Sequence, residues 1–305
     1  LIKQKALDLG FSACGIARAE PLTRESVVFR QWLNNGRHAG MKYLSRNVEK
    51  RFDPTLLNEW ARSVIILAFN YFPGHNIGPA SSLRISKYAF GKDYHEVIRA
   101  KLKHLVRDVE EETGGITARV FVDSAPVTEK AWAVRCGLGW IGKNGLLINR
   151  QAGSFFFLGT IITSLDLAYD KPEPDEFCGS CTRCMEACPN KAIVAPGILQ
   201  ADRCIAYLTI EHKGPFPEDT DTGLHSWIFG CDICQDVCPW NDHAKPHAEP
   251  DFMPRGKLLA MTDKDWQNLN EEDFSELFKG SAVERTGYDS LRRNIEKGIR
   301  EMEKD

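Results

Sequence analysis

Eight cysteines constrain this chain more than anything else in it. Cys178-x2-Cys181-x2-Cys184-x3-Cys188-Pro189 is followed by Cys231-x2-Cys234-x3-Cys238-Pro239, and Cys204 lies between the two runs. Three thiolates at x2, x2 spacing wrap one [4Fe–4S] cube, while the fourth Cys of such a run ligates a different cube. Cys178, Cys181, Cys184 and Cys238 therefore make one set of four. Cys188, Cys204, Cys231 and Cys234 make the other. The arithmetic closes on two cubes with none of the eight left over, which predicts a protein that moves electrons one at a time. A pair of structural zinc sites is the alternative, because four-cysteine zinc sites also use short Cys-x2-Cys hooks. Zinc needs two separated hooks, however, and three Cys at this spacing crowd a single tetrahedral ion. A Pro directly after the last Cys of each run suits a cluster-binding turn, where it fixes φ and ends the local helix. A disulfide framework fits less well, since such thiols in a long cytosolic chain more often bind metal.

At 305 residues the chain makes one large or two modest domains with enough length to bury a core. An apolar content of 43% and a charged content of 27% are ordinary for a globular protein. No apolar run approaches the ~18 residues of a membrane span. Nor does a basic-then-apolar leader open the chain. The expectation is a soluble, cytoplasmic monomer with no membrane partner. A net charge of −3 argues against a protein that coats nucleic acid along its whole surface. Charge is uneven, though. Arg84, Lys87, Lys92, Arg99, Lys101, Lys103 and Arg107 form one basic stretch, Arg37, Lys42, Arg46, Lys50 and Arg51 a second, and Arg285, Arg292, Arg293, Lys297 and Arg300 a third. A local basic face binds phosphates even on an acidic protein. Solvated helix faces are the competing reading.

Short β-branched runs at 63–69, 118–123 and 154–164 read as strands. Residues 94–112 read as a helix with Val97, Ile98, Leu102, Leu105, Val106 and Val109 on one face and Gly114 as its stop. This predicts an α/β or α+β layered domain over residues 1–168. The Pro-rich stretch 171–176 marks a boundary. A cluster module follows over 169–247, with Cys204 on a helix at 198–210, and a helical tail over 248–305 ends in a charged helix at 288–303.

About 170 residues ahead of the clusters leave room for a substrate or a second cofactor. No G-x-G-x-x-G follows a predicted strand. The glycine-dense stretch from Gly137 to Gly145 could cradle a phosphate or a large cofactor, and an ordinary tight turn explains it equally well. Asp93-Tyr94-His95 begins like the D-x-H-x-x-G of cobalt-ligating proteins but lacks the Gly, so a corrin here would bind without that His. Asp123 ends an apolar strand just before Ser124-Ala125-Pro126, where α/β proteins place chemistry. Half-buried there, its carboxyl would have a raised pKa and could serve as a general acid. The plainer reading is an Asp that caps the helix after Pro126. Cys14 and Cys136 fall outside both sets and read as small buried hydrophobes.

Ser86-Lys-Tyr-Ala-Phe-Gly-Lys-Asp-Tyr-His95, Val122-Asp123-Ser-Ala-Pro126, Gly139-Trp-Ile-Gly-Lys-Asn144, the Cys runs and Cys231-Asp-Ile-Cys-Gln-Asp-Val-Cys-Pro-Trp-Asn241 occur in that order. Together they resemble the epoxyqueuosine reductase family, which finishes queuosine at the tRNA wobble position and is related to reductive dehalogenases. The resemblance covers roughly residues 1–290. It implies an α+β protein: a layered, nitroreductase-like domain holding base-off cobalamin, a ferredoxin-like module with two [4Fe–4S] clusters, and a short helical tail. It also implies a tRNA partner and an external low-potential electron donor. By position, Asp123 matches the family's proton donor, and Ser86 falls where some members carry a Cys beside the corrin. Arg51, Lys143, Asn144, Leu147, Leu158 and Glu211 match cofactor-lining positions, and Lys213 a tRNA contact. Many members continue into C-terminal HEAT-like helices. This chain resembles the short form, so any tRNA contact made by those helices would be absent, or supplied by the tail helix and the stretch 84–107.

Three rivals stand beside this reading. A reductive dehalogenase would use the same two cofactors, usually with a twin-arginine leader. A non-catalytic electron carrier or corrinoid-reducing activator would need no acid at Asp123. A zinc-stabilised RNA-binding module would be colourless.

Overall fold

The computed structural model describes residues 1–75, 78–173, 176–216 and 222–304. Its centre is a four-stranded antiparallel sheet of β1 (Ala13–Arg18), β2 (Ser63–Asn70), β7 (Phe156–Thr163) and β4 (Ala118–Phe121), in that spatial order. Seven of the eight residues of β2 are buried, as expected of a central strand covered on both faces. Alternation assigns the faces. Ile65, Leu67 and Phe69 pack with α4 (Tyr94–Thr113), through Val97, Ile98, Leu102, Leu105 and Val109. Val64, Ile66 and Ala68 pack instead with α5 (Glu129–Arg135), through Trp132 and Ala133. Each buried Val, Leu, Ile or Phe among them contributes about 1.5–3 kcal/mol. Gly15 on β1 admits the end of α5: a Cβ there would stand 2.2 Å from the Cys136 carbonyl oxygen. Cys136 is buried in this second core and Cys14 packs against the first.

Helix α1 (Ile2–Asp8) packs beside β1, and α2 (Thr23–Asn34) and α3 (Val48–Phe52) lie against the α5 face. Short hairpins follow at β5 (Trp140–Ile141) with β6 (Leu147–Ile148), and at β8 (Ile193–Ala195) with β9 (Ile198–Leu199). The Cys runs carry one-turn helices, α6 (Arg183–Glu186) and α7 (Ile233–Asp236). Asn241 ties this module to the sheet: its Oδ1 accepts the Ser154 N–H at 2.7 Å, and its amide donates to Gln235 O at 2.7 Å.

The segment expected as a helix at 198–210 is not one. It begins as β9, passes through a 3-10 turn at Ala201–Arg203 and ends as a π-helical turn at Tyr207–Glu211. Cys204 sits between them in extended backbone at φ −77° and ψ 125°. That conformation interrupts the helical ladder and frees the thiol to reach across.

The helices α8 (Asp263–Gln267), α9 (Glu271–Phe278) and α10 (Tyr288–Met302) do not hang from the molecule as a tail. Leu291 and Ile295 of α10 are fully buried with Trp266, Phe278 and the parallel pair β3 (Arg84–Ile85) and β10 (Trp227–Phe229). Asn294, also fully buried, donates to Thr209 O and Ile228 O at 2.9 Å each. Among the described residues no helix is long and apolar enough to cross a membrane. In the Pro-rich stretch 171–176, Pro174 and Asp175 lie outside the described residues.

Candidate active site and cluster module

Long-range folding brings the eight cysteines into two groups. Cys178, Cys181, Cys184 and Cys238 line one cavity of about 310 Å³ together with Phe177, Trp240 and Lys143. Burial raises the Cys184 and Cys238 thiols, and the thiols of Cys178 and Cys181 add to the effect. Cys231 is pushed up to about 12 by burial first, then by Cys204, Asp232 and Cys188. Cys234 is raised well above its usual value by burial, with Cys204 and Cys231 next. Cys188, Cys204, Cys231 and Cys234 therefore share a second neighbourhood, and Cys184 also acts on Cys234 across the gap between the sets. Thiols held neutral in this way ionise when a metal takes them. Among the described residues no three His, Cys, Asp or Glu side chains converge tightly enough to hold a single ion.

The glycine-dense stretch before β6 turns out to brace the clusters. Lys143 Nζ donates to Gly179 O at 2.7 Å and to Cys181 O at 2.9 Å, and Asn144 donates to Cys234 O at 3.4 Å. Both residues border the thiols. Ser86 is buried, and its hydroxyl donates to Asp232, between two cysteines of the second set. Leu147 is buried and Leu158 half-buried on the α5 side of the sheet.

Asp123 does not cap α5, whose N-cap is Thr128. It sits at φ +50°, a left-handed conformation that Asp tolerates better than most residues. Its side chain is 65% exposed rather than half-buried, so the burial argument made for it does not apply. The carboxyl to which that argument does apply is Glu129, on the first turn of α5. Burial, then the Asp123 charge, push Glu129 up to about 8. Glu129 accepts the Asp123 backbone N–H at 3.2 and 3.3 Å and the Thr160 hydroxyl at 3.3 Å. Tyr94 donates to Asp123 Oδ2 at 2.7 Å and stacks on Phe157 at 4.3 Å.

Five further side chains complete a cleft around Asp123. Burial raises the Tyr43 hydroxyl, with Glu211 and Asp123 adding to it, and burial also raises Tyr88, opposed by Arg285 and helped by Asp123, Asp232 and Glu211. Arg285 donates to Glu211 at 3.1 Å. Arg51 donates to Tyr43 O at 3.0 Å, while its buried Nε has no partner among the described residues. Sequence reasoning singled out Asp123, Arg51 and Glu211 but missed Tyr43, Tyr88, Tyr94 and Glu129 as parts of this site. The string Tyr88 to His95 was on view, yet nothing in its spacing points it at Asp123. Lys213, expected as a tRNA contact, is exposed at the rim and donates to Thr286 O at 3.4 Å.

The basic stretches divide unequally. Lys87, Lys92 and Lys101 are paired with Asp236, Asp251 and Glu249, so three of the seven basic residues of 84–107 are neutralised. On the last helix, Arg292 and Lys297 pair with Glu296 and Glu301. Lys42, Arg46 and Lys50 are exposed and have no ion pair among the described residues. They flank Tyr43 and Arg51 at the edge of the cleft.

Residues 177–241 match the family model described as a 4Fe-4S double cluster binding domain, and residues 51–124 match "Epoxyqueuosine reductase QueG, DUF1730". An epoxyqueuosine reductase of Cyclobacterium marinum is 47% identical over 97% of this chain and 94% of its own length. The chain belongs to the epoxyqueuosine reductase family. This is a family of oxidoreductases. Its solved members share the fold: a crystal structure of epoxyqueuosine reductase with an epoxyqueuosine-modified tRNA-Tyr stem loop superposes at a TM-score of 0.89 and 30% identity, over 98% of this chain and 80% of that one. The catabolic reductive dehalogenase NpRdhA is alike in fold alone, at 17% identity and a TM-score of 0.50 over 81% of this chain and 32% of its own.

Proposed function

We propose that this chain reduces epoxyqueuosine to queuosine in the anticodon of tRNA, with Asp123 as proton donor, two [4Fe–4S] clusters and cobalamin. The observation that carries the reading is the convergence of Tyr43, Arg51, Tyr88, Tyr94, Glu211 and Arg285 on an exposed Asp123, beside two fours of thiols, in a member of this family. The reaction takes two electrons and two protons. Both epoxide C–O bonds break, an alkene forms, and the oxygen leaves as water.

The residues present fit both cofactors. Each thiol set can hold one cube, with Lys143 and Asn144 fixing the loops that carry the first set and Cys234. For the corrin, Arg51 offers an unpartnered buried N–H, Leu147 and Leu158 an apolar wall, and Lys143, Asn144 and Glu211 polar edges. When bound, a corrin supplies the conversion of single-electron deliveries into a two-electron event at an epoxide carbon, chemistry that belongs to the cofactor. Asp123 delivers protons to the departing oxygen. Tyr94 holds the carboxyl in place through Oδ2, and Glu129 holds the backbone turn that aims it. Ser86 carries no thiol, and its hydroxyl is engaged with Asp232, so its part is to shape the wall between the second thiol set and the cleft. Lys42, Arg46, Lys50 and Lys213 take the stem-loop phosphates while one base enters the cleft. The division into 1–168, 169–247 and 248–305 goes with this assignment: substrate chemistry, electron supply, and a helical support that carries Arg285. An external low-potential donor feeds the clusters, and the cytoplasm is where such a donor and tRNA meet.

The test is anaerobic conversion of an epoxyqueuosine-bearing stem-loop by enzyme loaded with both cofactors, read by nucleoside mass spectrometry. Loss of one oxygen, dependent on the corrin, is expected. Full loading without conversion, together with dehalogenation of an aryl halide, would move the assignment to the dehalogenase reading.

A further inference from the structure

Deoxygenation places two protons on one oxygen, yet Asp123 carries one. On the reading above, a stem-loop seated over the exposed Asp123 would close it to solvent, and the second proton would then reach it through the protein. Asp93-Tyr94-His95, set aside as an incomplete cobalt motif, lies on that route.

His95 Nδ1 is 2.7 Å from Asp93 Oδ1, and the same oxygen accepts the His95 backbone N–H at 2.9 Å. His95 Nε2 faces Asp123 Oδ2 at 3.8 Å, the oxygen that also accepts the Tyr94 hydroxyl. The imidazole thus has a carboxyl group at each nitrogen. It stacks on Tyr94 at 4.1 Å and keeps 23% of its side chain open to solvent. Asp93 fixes the Nδ1–H tautomer, which leaves Nε2 as the atom that gains and gives a proton.

We propose that His95 is the relay that reprotonates Asp123 within each turnover, with Asp93 as its positioning residue. The proposal rests on the epoxide-reduction reading above. Asp123 gives its proton to the opening oxygen and becomes a carboxylate. The imidazolium Nε2–H then passes its proton to that carboxylate and becomes neutral. Asp123 gives this second proton to the hydroxyl as it leaves as water, and solvent returns one proton to each of His95 and Asp123 before the next turnover. No electron moves in the relay. The 3.8 Å gap exceeds a hydrogen bond, so the transfer runs through one water or through closure of the Asp123 turn over substrate.

The groups facing this pair are Asp93 and Tyr94 on its own helix, Asp123 and Glu129 from the β4–α5 connection, and Arg285 ahead of α10, whose charge reaches Asp93 and Tyr94. Burial disfavours the Asp93 charge, but the bonds from the His95 ring and backbone outweigh it and hold that carboxyl below its usual range.

Two measurements decide the matter. In the cofactor-loaded enzyme, His95→Gln should lower kcat on the stem-loop about 100-fold, the scale of a lost proton-transfer group, with KM within about 3-fold. Imidazole in the buffer should restore part of the rate, and the imidazole limb of the kcat–pH profile should vanish. Wild-type kcat in His95→Gln, an unchanged profile, or equal losses in kcat and affinity would overturn the relay. Independently of activity, the His95 ring signals in the cluster-loaded chain should move in Asp123→Asn, and further in Asp93→Asn, when followed by NMR at one fixed pH. Ring signals unmoved by Asp123→Asn overturn the coupling whatever the enzyme's reaction. Moved signals in an enzyme that converts no stem-loop keep the coupling and overturn the reaction instead.

Discussion

The thiol module and the Asp123 cleft are built on opposite plans. Seven of the eight thiols come from two short runs within residues 178–238, and only Cys204 reaches them from outside. The cleft draws Tyr43, Arg51, Tyr88, Tyr94, Asp123, Glu129, Glu211 and Arg285 from across the chain. A cube binds its protein through covalent bonds of fixed geometry, so its ligands must be close in sequence or arrive on short loops. A cleft built from carboxyl, phenol and guanidinium groups works through hydrogen bonds and fields. Those need side chains on several rigid elements, whatever their separation along the chain.

The sharpest way to break this contrast is at its outlier. Cys204→Ser should cost the second cube, leaving about half the iron of the loaded protein, and conversion should fall below detection. Full iron content in that variant would dissolve the two sets. Next in size, Asp123→Asn should slow turnover at least ~100-fold with iron and corrin content unchanged. Loss of iron along with activity would mean the two regions are not separable. For RNA binding, replacing Lys42 and Arg46 together by Met should lower the log–log salt slope by about 2, and Lys213→Met by about 1. Lys92→Met, whose charge is already paired with Asp251, should leave the slope where it was.

The smallest effect concerns Glu129. Its folded-state pKa is raised above the unfolded value, so the neutral carboxyl favours folding below about 4.5, and that contribution is lost as pH rises toward about 8. Glu129→Gln should therefore melt higher than the parent at pH 8 and nearer to it at pH 5, by a few degrees at most. A larger gain at pH 5 than at pH 8 would contradict the burial assigned to it.

Legibility in the sequence followed the same divide. The apolar runs of β2 and β7 and the 3.6-residue stripe of α4 declare themselves because each element's burial is written into its own periodicity. The expected helix at 198–210 failed because its apolar residues satisfy a helical pattern while Cys204 needs extended backbone to point its thiol inward. The stretch 84–107 looked like an RNA-binding face because it holds few acids. Lys87, Lys92 and Lys101 are paired with acids from 236–251, more than 140 residues away for the pair of Lys87 with Asp236, whereas Arg84, Arg99, Lys103 and Arg107 make no ion pair among the described residues. The buried face of α10, and with it Arg285, belongs to the same class of fact.

By itself, the sequence determined the cluster chemistry, the central strands and helix, and the family. Spacing along a chain is enough to specify thiols around iron, and periodicity is enough to specify which face of a strand or helix avoids water. Tertiary structure alone decided that Lys143 braces the loops of the first thiol set, that Tyr94 and His95 of α4 face Asp123, and that Arg285 meets Glu211. Each of those depends on the distance between atoms that the chain holds 28 or more residues apart, and only tertiary packing brings them within reach.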